Sequence, residues 1–282
     1  LEHGSFYSFR NRYAHMIERN FGGRRVQIVG SYQRLEELEE ILKKFSYRVQ
    51  KKDCLDLPKK IFINRTVELT QEQNKAYQTM KSAALAQLNG KLATAPHTLT
   101  QLMRLHQITC GHFKSDDGEI TNLKHNRITE LMDVIDEMEG KVIIWANYIH
   151  DIEEIVKTVK KEHGDDSIVQ YYGAISSDDR QKAIKEFQDP KSPVKYFVGN
   201  TQTGGYGITL TAASNVIYYS NSYDLEKRLQ SEDRAHRIGQ HKPVTYVDLI
   251  APKTVDEKII KALRGKINIA SQIMGDTLDA WI

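Results

Sequence analysis

From about Ile128 onward, short apolar runs alternate with amphipathic stretches, and this rhythm constrains the fold more than any other feature of the sequence. Ile128, Leu131, Met132, Ile135 and Met138 recur at helical spacing ahead of the apolar run VIIWA at 142–146. A helix over 152–159 leads to a strand over 168–172, a helix over 178–187, and strands over 194–198 and 216–219. A charged helical segment from Asp224 to His236 precedes a strand over 244–250, and a long helix from about Val255 follows. Strands separated by crossover helices pair in parallel. The pattern predicts an open, doubly wound parallel α/β sheet of five strands, with ligands at their carboxyl ends.

The first 120 residues read differently. Apolar positions fall at helical spacing with few β-branched runs, which predicts helices joined by irregular loops. Leu35, Leu38 and Leu42 form one stripe after Ser31, a candidate N-cap. Thr70 and Gln73 form a capping-box pair opening a helix towards Leu88, which Asn89-Gly90 ends. A loop through Pro96 is expected next, then a stripe of Leu99, Leu102, Met103 and His106. The expected division is a mainly helical insert and linker over 1–120 and an α/β lobe with its closing helix over 121–282.

With 282 residues, 40% of them hydrophobic and 27% charged, the chain can bury one large core or two modest ones. Its 40 Lys+Arg against 37 Asp+Glu leave a net charge of +3, too mild to indicate nucleic acid or an anionic membrane by itself. No apolar run approaches the roughly 20 residues of a membrane span, so no membrane partner is expected. Cys54 and Cys110 make no disulfide framework, which points to a reducing, intracellular compartment, cytoplasmic or nuclear rather than secreted. A start at Leu1 rather than Met suggests an excised fragment of a longer protein.

Candidate chemistry lies late in the chain. The strand at 194–198 runs into TQTGGYGITL at 201–210, where Gly204, Gly205 and Gly207 let backbone approach a phosphate or ribose closely. A tight strand-to-helix turn is the alternative use of the same glycines. In QSEDRAHRIGQ at 230–240, Arg234 and Arg237 stand three apart on an expected helix and share one face. Two adjacent guanidiniums repel unless an anion lies between them, and a nucleotide phosphate would satisfy both through forked donors. The alternative is a solvated charge network with Glu232, Asp233 or Asp224.

Read in order, these segments resemble the second motor lobe of superfamily 2 helicases, specifically the Swi/Snf-related DNA translocases, whose lobe is RecA-like. VIIWANYIHDIEEI resembles the family's fourth motif, YYGAISSDDRQKAIKEFQ its next segment, and TQTGGYGITLTAASNVIYYSNSYDLEKRLQSEDRAHRIGQ its fifth and sixth. SFRNRYAH, Gly22-Gly23, YRVQKKDCLDLPKK, LTQEQNKAY and LMRLHQITCGH resemble the helical insert carried between the family's two lobes. The resemblance implies that Arg237 is an arginine finger, with Arg234 beside it at the triphosphate. It places Gly207 and Thr209 near the ribose and metal of ATP·Mg²⁺, with Gln230 alongside, and Thr201 on a DNA backbone phosphate within the Gly204-Gly205 loop. Double-stranded DNA and an upstream motor lobe are the implied partners. The sequence departs from the family at Thr203, at Thr209, and at NSYDL over 221–225.

A complete motor also needs a P-loop and an acidic strand-end pair. Gly-Lys occurs at Gly90-Lys91, Gly140-Lys141 and Gly265-Lys266, never followed by Ser or Thr. Asp136-Glu137 mimics the acidic pair but continues a helical stripe and reads as a solvated face. This chain alone is therefore expected to be inactive and to complete a composite ATPase site. The competing reading is a DNA-binding or protein-docking module without hydrolysis. Basic residues between Ile41 and Arg65 (Lys43, Lys44, Arg48, Lys51, Lys52, Lys59, Lys60, Arg65) suit phosphate contacts or a solvated surface. His106, Cys110, His112 and Cys54 follow no standard zinc spacing, so no metal site is expected. Trp145, Tyr171, Tyr172, Tyr218 and Tyr219 read as core rather than as base-stacking platforms.

Overall fold

The computed structural model describes residues 4–21, 24–47, 54–89, 95–115, 117–204 and 207–274. It begins with helix α1 (Phe6–Tyr13), strands β1 (Ala14–Phe21) and β2 (Arg24–Tyr32), helix α2 (Leu35–Lys43) and strand β3 (Lys60–Thr66). Helices α3 (Gln71–Asn89) and α4 (Ala95–Cys110) follow, then short strands β4 (His112–Lys114) and β5 (Ile120–Asn122). The alternating region comprises α5 (Arg127–Asp136), β6 (Lys141–Trp145), α6 (Ile149–His163), β7 (Ile168–Tyr171), α7 (Ser177–Gln188), β8 (Tyr196–Gly199) and α8 (Thr201–Gly204). It ends with β9 (Ala213–Tyr218), α9 (Leu225–Glu232), β10 (Val244–Ile250) and α10 (Val255–Met274).

Six strands form one parallel sheet in the order β3-β10-β9-β6-β8-β7. Five of them are the strands expected from the apolar rhythm. The sixth, β3, comes from well ahead of that region and pairs residue for residue with β10 from Lys60↔Val244 to Thr66↔Ile250. Side chains alternate across the sheet as a two-residue period requires. Ile144, Val198, Ile217 and Val247 pack on one face with Leu131, Ile135, Ile152 and Ile155 of the flanking helices. Ile143, Trp145, Phe197, Val216 and Tyr246 pack on the other with Phe187, Leu210 and Ala235. Tyr171, Tyr172, Tyr218 and Tyr219 are buried in these two cores, as expected of core aromatics. A third cluster of Tyr77, Leu105, Ile108 and Val255 joins α3, α4 and α10.

The first 120 residues depart from helices joined by loops. β1 and β2 make an antiparallel pair from Ala14↔Tyr32 to Phe21↔Arg24, with a register shift at His15/Met16. Ser31 lies in β2 and caps nothing; α2 starts after Arg34, which adopts φ 54° and makes no side-chain cap. The Thr70 capping box forms as expected: Gln73 N donates to Thr70 Oγ1 at 3.2 Å and Thr70 N donates to Gln73 Oε1 at 3.1 Å. Pro96 lies within the first turn of α4 rather than in a loop. There its missing N–H removes no intrahelical bond.

Candidate functional site

Chain order returns through β6 to β8 on one side and then crosses to β9 on the other, so the sheet has a switch point beside β6. Polar groups knit the carboxyl ends of these strands together. Asn200 Nδ2 donates to Asn147 O at 3.2 Å, and Asn147 N donates to Ser220 Oγ at 2.8 Å. Asn200 Oδ1 accepts from Gln202 N at 2.7 Å and Thr203 N at 3.3 Å, which opens the single turn α8 immediately after β8. Thr201 is thereby held, half-buried, at the carboxyl end of β8. Gly204 closes that turn against Trp145: a Cβ there would lie 2.6 Å from two atoms of the buried indole. Close packing is what this glycine supplies. Gly205 lies outside the described residues.

Gly207 has φ 70° and open space around it, so it serves the backbone turn rather than a packing contact. The segment after it carries the arginine pair. Arg234 donates from Nε to Gln230 O at 2.8 Å and from Nη1 to Ile208 O at 3.1 Å. Arg237 donates from Nη1 to Thr209 Oγ1 at 3.1 Å, with Ile208 O at 3.4 Å. The structure thus brings Arg234 and Arg237 to Ile208 and Thr209, just after Gly207; Gln230 meets Arg234 only through its carbonyl, its side chain donating from Nε2 to Glu226 Oε1 at 2.9 Å. α9 ends at Glu232, however, so the arginines project from turns beyond it rather than from the expected helix. They rest on the chain leading into β9, whereas Thr201 sits at the carboxyl end of β8; the expected single ligand edge is divided.

No carboxylate pairs with either arginine among the described residues. Glu232 is committed to Arg228 at 2.8 Å and Lys60 at 2.9 Å, and Asp224 to Lys227 at 3.5 Å. Burial, and then the charge of Arg237, push the Arg234 pKa below its ordinary value, offset in part by Asp233. Among the described residues the two guanidiniums are met by carbonyl and hydroxyl oxygens, and the positive charge that each adds to the other's surroundings is what an anion would relieve.

Sequence reasoning missed the residue that shapes this loop. Gln240 is buried and donates from Nε2 to Thr211 O at 3.2 Å and Ala213 O at 2.7 Å, while its Oε1 accepts from His241 N and Lys242 N, both at 3.0 Å. Its own N donates to Arg237 O at 3.0 Å, and Leu210 N donates to Arg234 O at 2.9 Å. The arginine loop is fastened at both ends. Beneath it, Arg228 donates from Nη2 to Asp248 Oδ2 at 3.0 Å and from Nη1 to Asn221 Oδ1 at 2.8 Å, anchoring α9 to β10. Asn221 falls in the departure NSYDL, so that run keeps a structural task here.

The remaining candidates fall as follows in the structure. Within the basic stretch, Lys60 is held by the buried Glu232 and Arg65 by Glu130 and Glu137 at 2.8 Å each, whereas Lys43 makes an exposed pair with Glu39 on the surface of α2. Arg48, Lys51 and Lys52 lie outside the described residues. Asp136 is exposed and near His163 at 3.7 Å, consistent with a solvated helix end. His106 Nδ1 meets Tyr148 Oη at 2.9 Å, and burial holds the Cys110 thiol well above its ordinary pKa. Cys54 is exposed while Cys110 is buried.

A parallel sheet of this order, with a glycine turn after β8 and a fastened arginine loop, is that of a RecA-like lobe. Residues 124–239 match the helicase conserved C-terminal domain family, and residues 2–114 match the SNF2-related domain family. The chain belongs to the Swi/Snf family of superfamily 2 helicases, as a C-terminal lobe. It is 28% identical over 293 residues to the putative ATP-dependent helicase/translocase YwqA of Bacillus subtilis, covering 99% of this chain and 30% of that protein. It is also 28% identical over 262 residues to human SWI/SNF-related matrix-associated actin-dependent regulator of chromatin subfamily A member 1, covering 87% of this chain and 25% of that one. The Sulfolobus solfataricus SWI2/SNF2 ATPase core in complex with dsDNA superposes with a TM-score of 0.61 at 28% identity, over 87% of this chain and 53% of that chain. The chain therefore spans less than a third of the length of these two sequence relatives. No helix among the described residues is long and apolar enough to cross a membrane.

Proposed function

We propose that this chain is the C-terminal half of an ATP-dependent translocase or remodeller of double-stranded DNA, with residues 1–120 as insert and linker and 121–282 as the motor lobe. In this division β3 is a strand that the linker lends to the lobe's sheet. The carrying observation is the arginine pair, fastened to Ile208 and Thr209 and, among the described residues, ion-paired with no carboxylate. Arg234 commits both Nε and Nη1 to backbone, whereas the bonds of Arg237 use Nη1, leaving Nε and Nη2 to meet a phosphate. Arg237 is accordingly the arginine finger and Arg234 its neighbour at the triphosphate, with Gly207, Thr209 and Gln230 beside the nucleotide.

The finger acts because phosphoryl transfer spreads negative charge in its transition state, where a positioned cation lowers the barrier more than in the ground state. An upstream lobe supplies the P-loop and the acidic pair, and ATP with Mg²⁺ is held mainly there. Closure of the two lobes brings Arg237 to the phosphates and excludes water. Thr201, at the carboxyl end of β8 in the turn that Gly204 closes, contacts a DNA backbone phosphate, as does the Gly204-Gly205 backbone. The hydrogen bond from its neighbour Asn200 to Asn147, just past the end of β6, links lobe movement to the DNA. Alone, the chain does not turn ATP over.

The test joins the chain to its natural upstream sequence and measures ATP hydrolysis with and without duplex DNA. Hydrolysis stimulated by duplex DNA, and absent from the 282-residue chain alone, is the expected result. Duplex binding without hydrolysis in the longer protein would instead favour a DNA-binding or docking module.

A further inference from the structure

Three side chains with metal-ligating atoms meet where β4 packs on the first turn of α6, away from the arginine loop. Gly111, at φ 99°, turns the chain out of α4 and aims His112 inward; a Cβ at this glycine would lie 2.1 Å from the His125 ring. His150 and Asp151 follow one another at the start of α6. His112 Nδ1 lies 3.1 Å from Asp151 Oδ1, and His150 Nδ1 lies 4.0 Å from the same oxygen. The two imidazoles are 4.4 Å apart between centroids, tilted by 33°. One ligand atom from each residue falls within 4.8 Å of the other two. Metal–ligand bonds of about 2.0 to 2.2 Å set two ligands of one ion roughly 3 to 4 Å apart.

Burial makes this cluster informative. Asp151 is fully buried and His112 is 2% exposed, yet His112 Nδ1, His150 Nδ1 and Asp151 Oδ1 are all buried without a hydrogen-bond partner among the described residues. Buried polar atoms are rarely left so, and a buried carboxylate oxygen least of all. An ion pair between His112 and Asp151 alone would leave His150 Nδ1 unmatched. A shared cation satisfies all three atoms at once. The remaining oxygen, Asp151 Oδ2, accepts from Ser220 Oγ at 3.4 Å, and Ser220 in turn accepts from Asn147 N. Such an outer partner orients a ligating carboxylate.

We propose that His112, His150 and Asp151 bind one divalent transition-metal ion, zinc being the best match to two imidazoles and a carboxylate. Calcium and magnesium prefer sites made of oxygens. The fourth position faces the partly exposed His150 edge and takes water. The ion clips β4, on the insert side of the chain, to α6. Through Ser220 and Asn147 the clip reaches Asn200, which opens the turn holding Thr201.

The test uses the full 282-residue chain, stripped of metal with chelator and titrated with Co²⁺ and then Zn²⁺. Expected are visible d–d bands that saturate at one equivalent of Co²⁺ and disappear when Zn²⁺ displaces it. His150→Ala, at the exposed edge of the cluster, and Asp151→Asn each weaken Co²⁺ binding at least tenfold. Zn²⁺ at a hundredfold excess over the wild-type Kd raises the wild-type Tm by about 5 °C and that of either variant by about half as much at most. Each variant is compared with its own metal-free state, so a lowered baseline does not obscure the result. Absence of stoichiometric uptake, or uptake equally tight in His150→Ala, overturns the proposal.

Discussion

Arg237 donates to the hydroxyl of Thr209 at 3.1 Å, and this bond ties the proposed finger to the segment following Gly207 before any nucleotide arrives. The guanidinium is thus pre-positioned. In the longer protein, Arg237→Ala is expected to lower DNA-stimulated turnover by about 10³-fold with Tm within about 1 °C of wild type. Arg237→Lys restores little, because an ammonium lacks the planar fork. Thr209→Val removes only the acceptor and is expected to slow turnover by about five- to tenfold. Steady-state ATPase assays with saturating duplex decide all three, and unchanged turnover in Arg237→Ala removes that residue from the mechanism.

Thr201 is separated from the arginine pair by the turn at 201–204 and the glycine segment beyond, so the two should fail differently. Thr201→Ala is expected to weaken duplex binding, reduce the salt dependence of binding by about one unit of log–log slope, and leave basal hydrolysis nearly intact. Duplex titrations at several salt concentrations measure this. Greater damage to basal hydrolysis than to DNA stimulation would move Thr201 to the nucleotide side.

The lobe was legible in the sequence because its strands are short, mainly apolar and separated by helices. β3 was not, because KIFINRT sits among basic residues and its outward Ile61 and Ile63 remain exposed at a sheet edge, so it carries half the apolar signal of β6. The β1–β2 pair failed for a related reason: Glu18, Arg19, Arg24 and Arg25 interrupt the alternation that announces a hairpin. Arg234 and Arg237 were visible as a pair, but their three-residue spacing suggested a helix that ends at Glu232. Gln240 gave no signal at all. A glutamine that folds a loop through five backbone contacts looks, in sequence, like any surface glutamine. The cluster of His112, His150 and Asp151 was equally hidden, since residues almost 40 positions apart meet only through tertiary packing.

Asp256 offers a test of what holds the closing helix. Its Oδ2 accepts from Arg127 and from Ala251 N at 3.0 Å, and its Oδ1 accepts from Thr109 Oγ1 at 2.8 Å, all buried. Burial, the largest single influence, would raise the carboxyl pKa, but the Arg127 guanidinium together with His106 and the Ala251 N–H outweighs it and holds Asp256 below its ordinary value. A folded pKa lower than the unfolded one contributes stability above about pH 4, which is lost as pH falls through the folded value. Asp256→Asn leaves Arg127 buried and unpaired, at a cost of about 3 to 5 kcal/mol at pH 7. Urea titrations should find that this difference narrows once the pH falls below the folded pKa; a constant difference would mean that the pair is not what stabilises this corner.

Gly204 and Gly207 lie three residues apart in the same segment yet carry different constraints. At Gly204 a methyl group would meet the rigid six-membered ring of the fully buried Trp145 at 2.6 Å, so Gly204→Ala is expected to cost about 1 to 3 kcal/mol through overpacking. At Gly207 nothing lies within 4 Å, and only φ 70° penalises a Cβ, so Gly207→Ala should cost about 1 to 2 kcal/mol. The two are told apart by a second substitution. Trp145→Phe withdraws the ring atoms that clash at Gly204, so it should recover part of the Gly204→Ala loss in a double-mutant cycle and none of the Gly207→Ala loss. Equal coupling of Trp145 to both glycines would mean that the segment moves as one body and that the 2.6 Å approach is not the limiting contact.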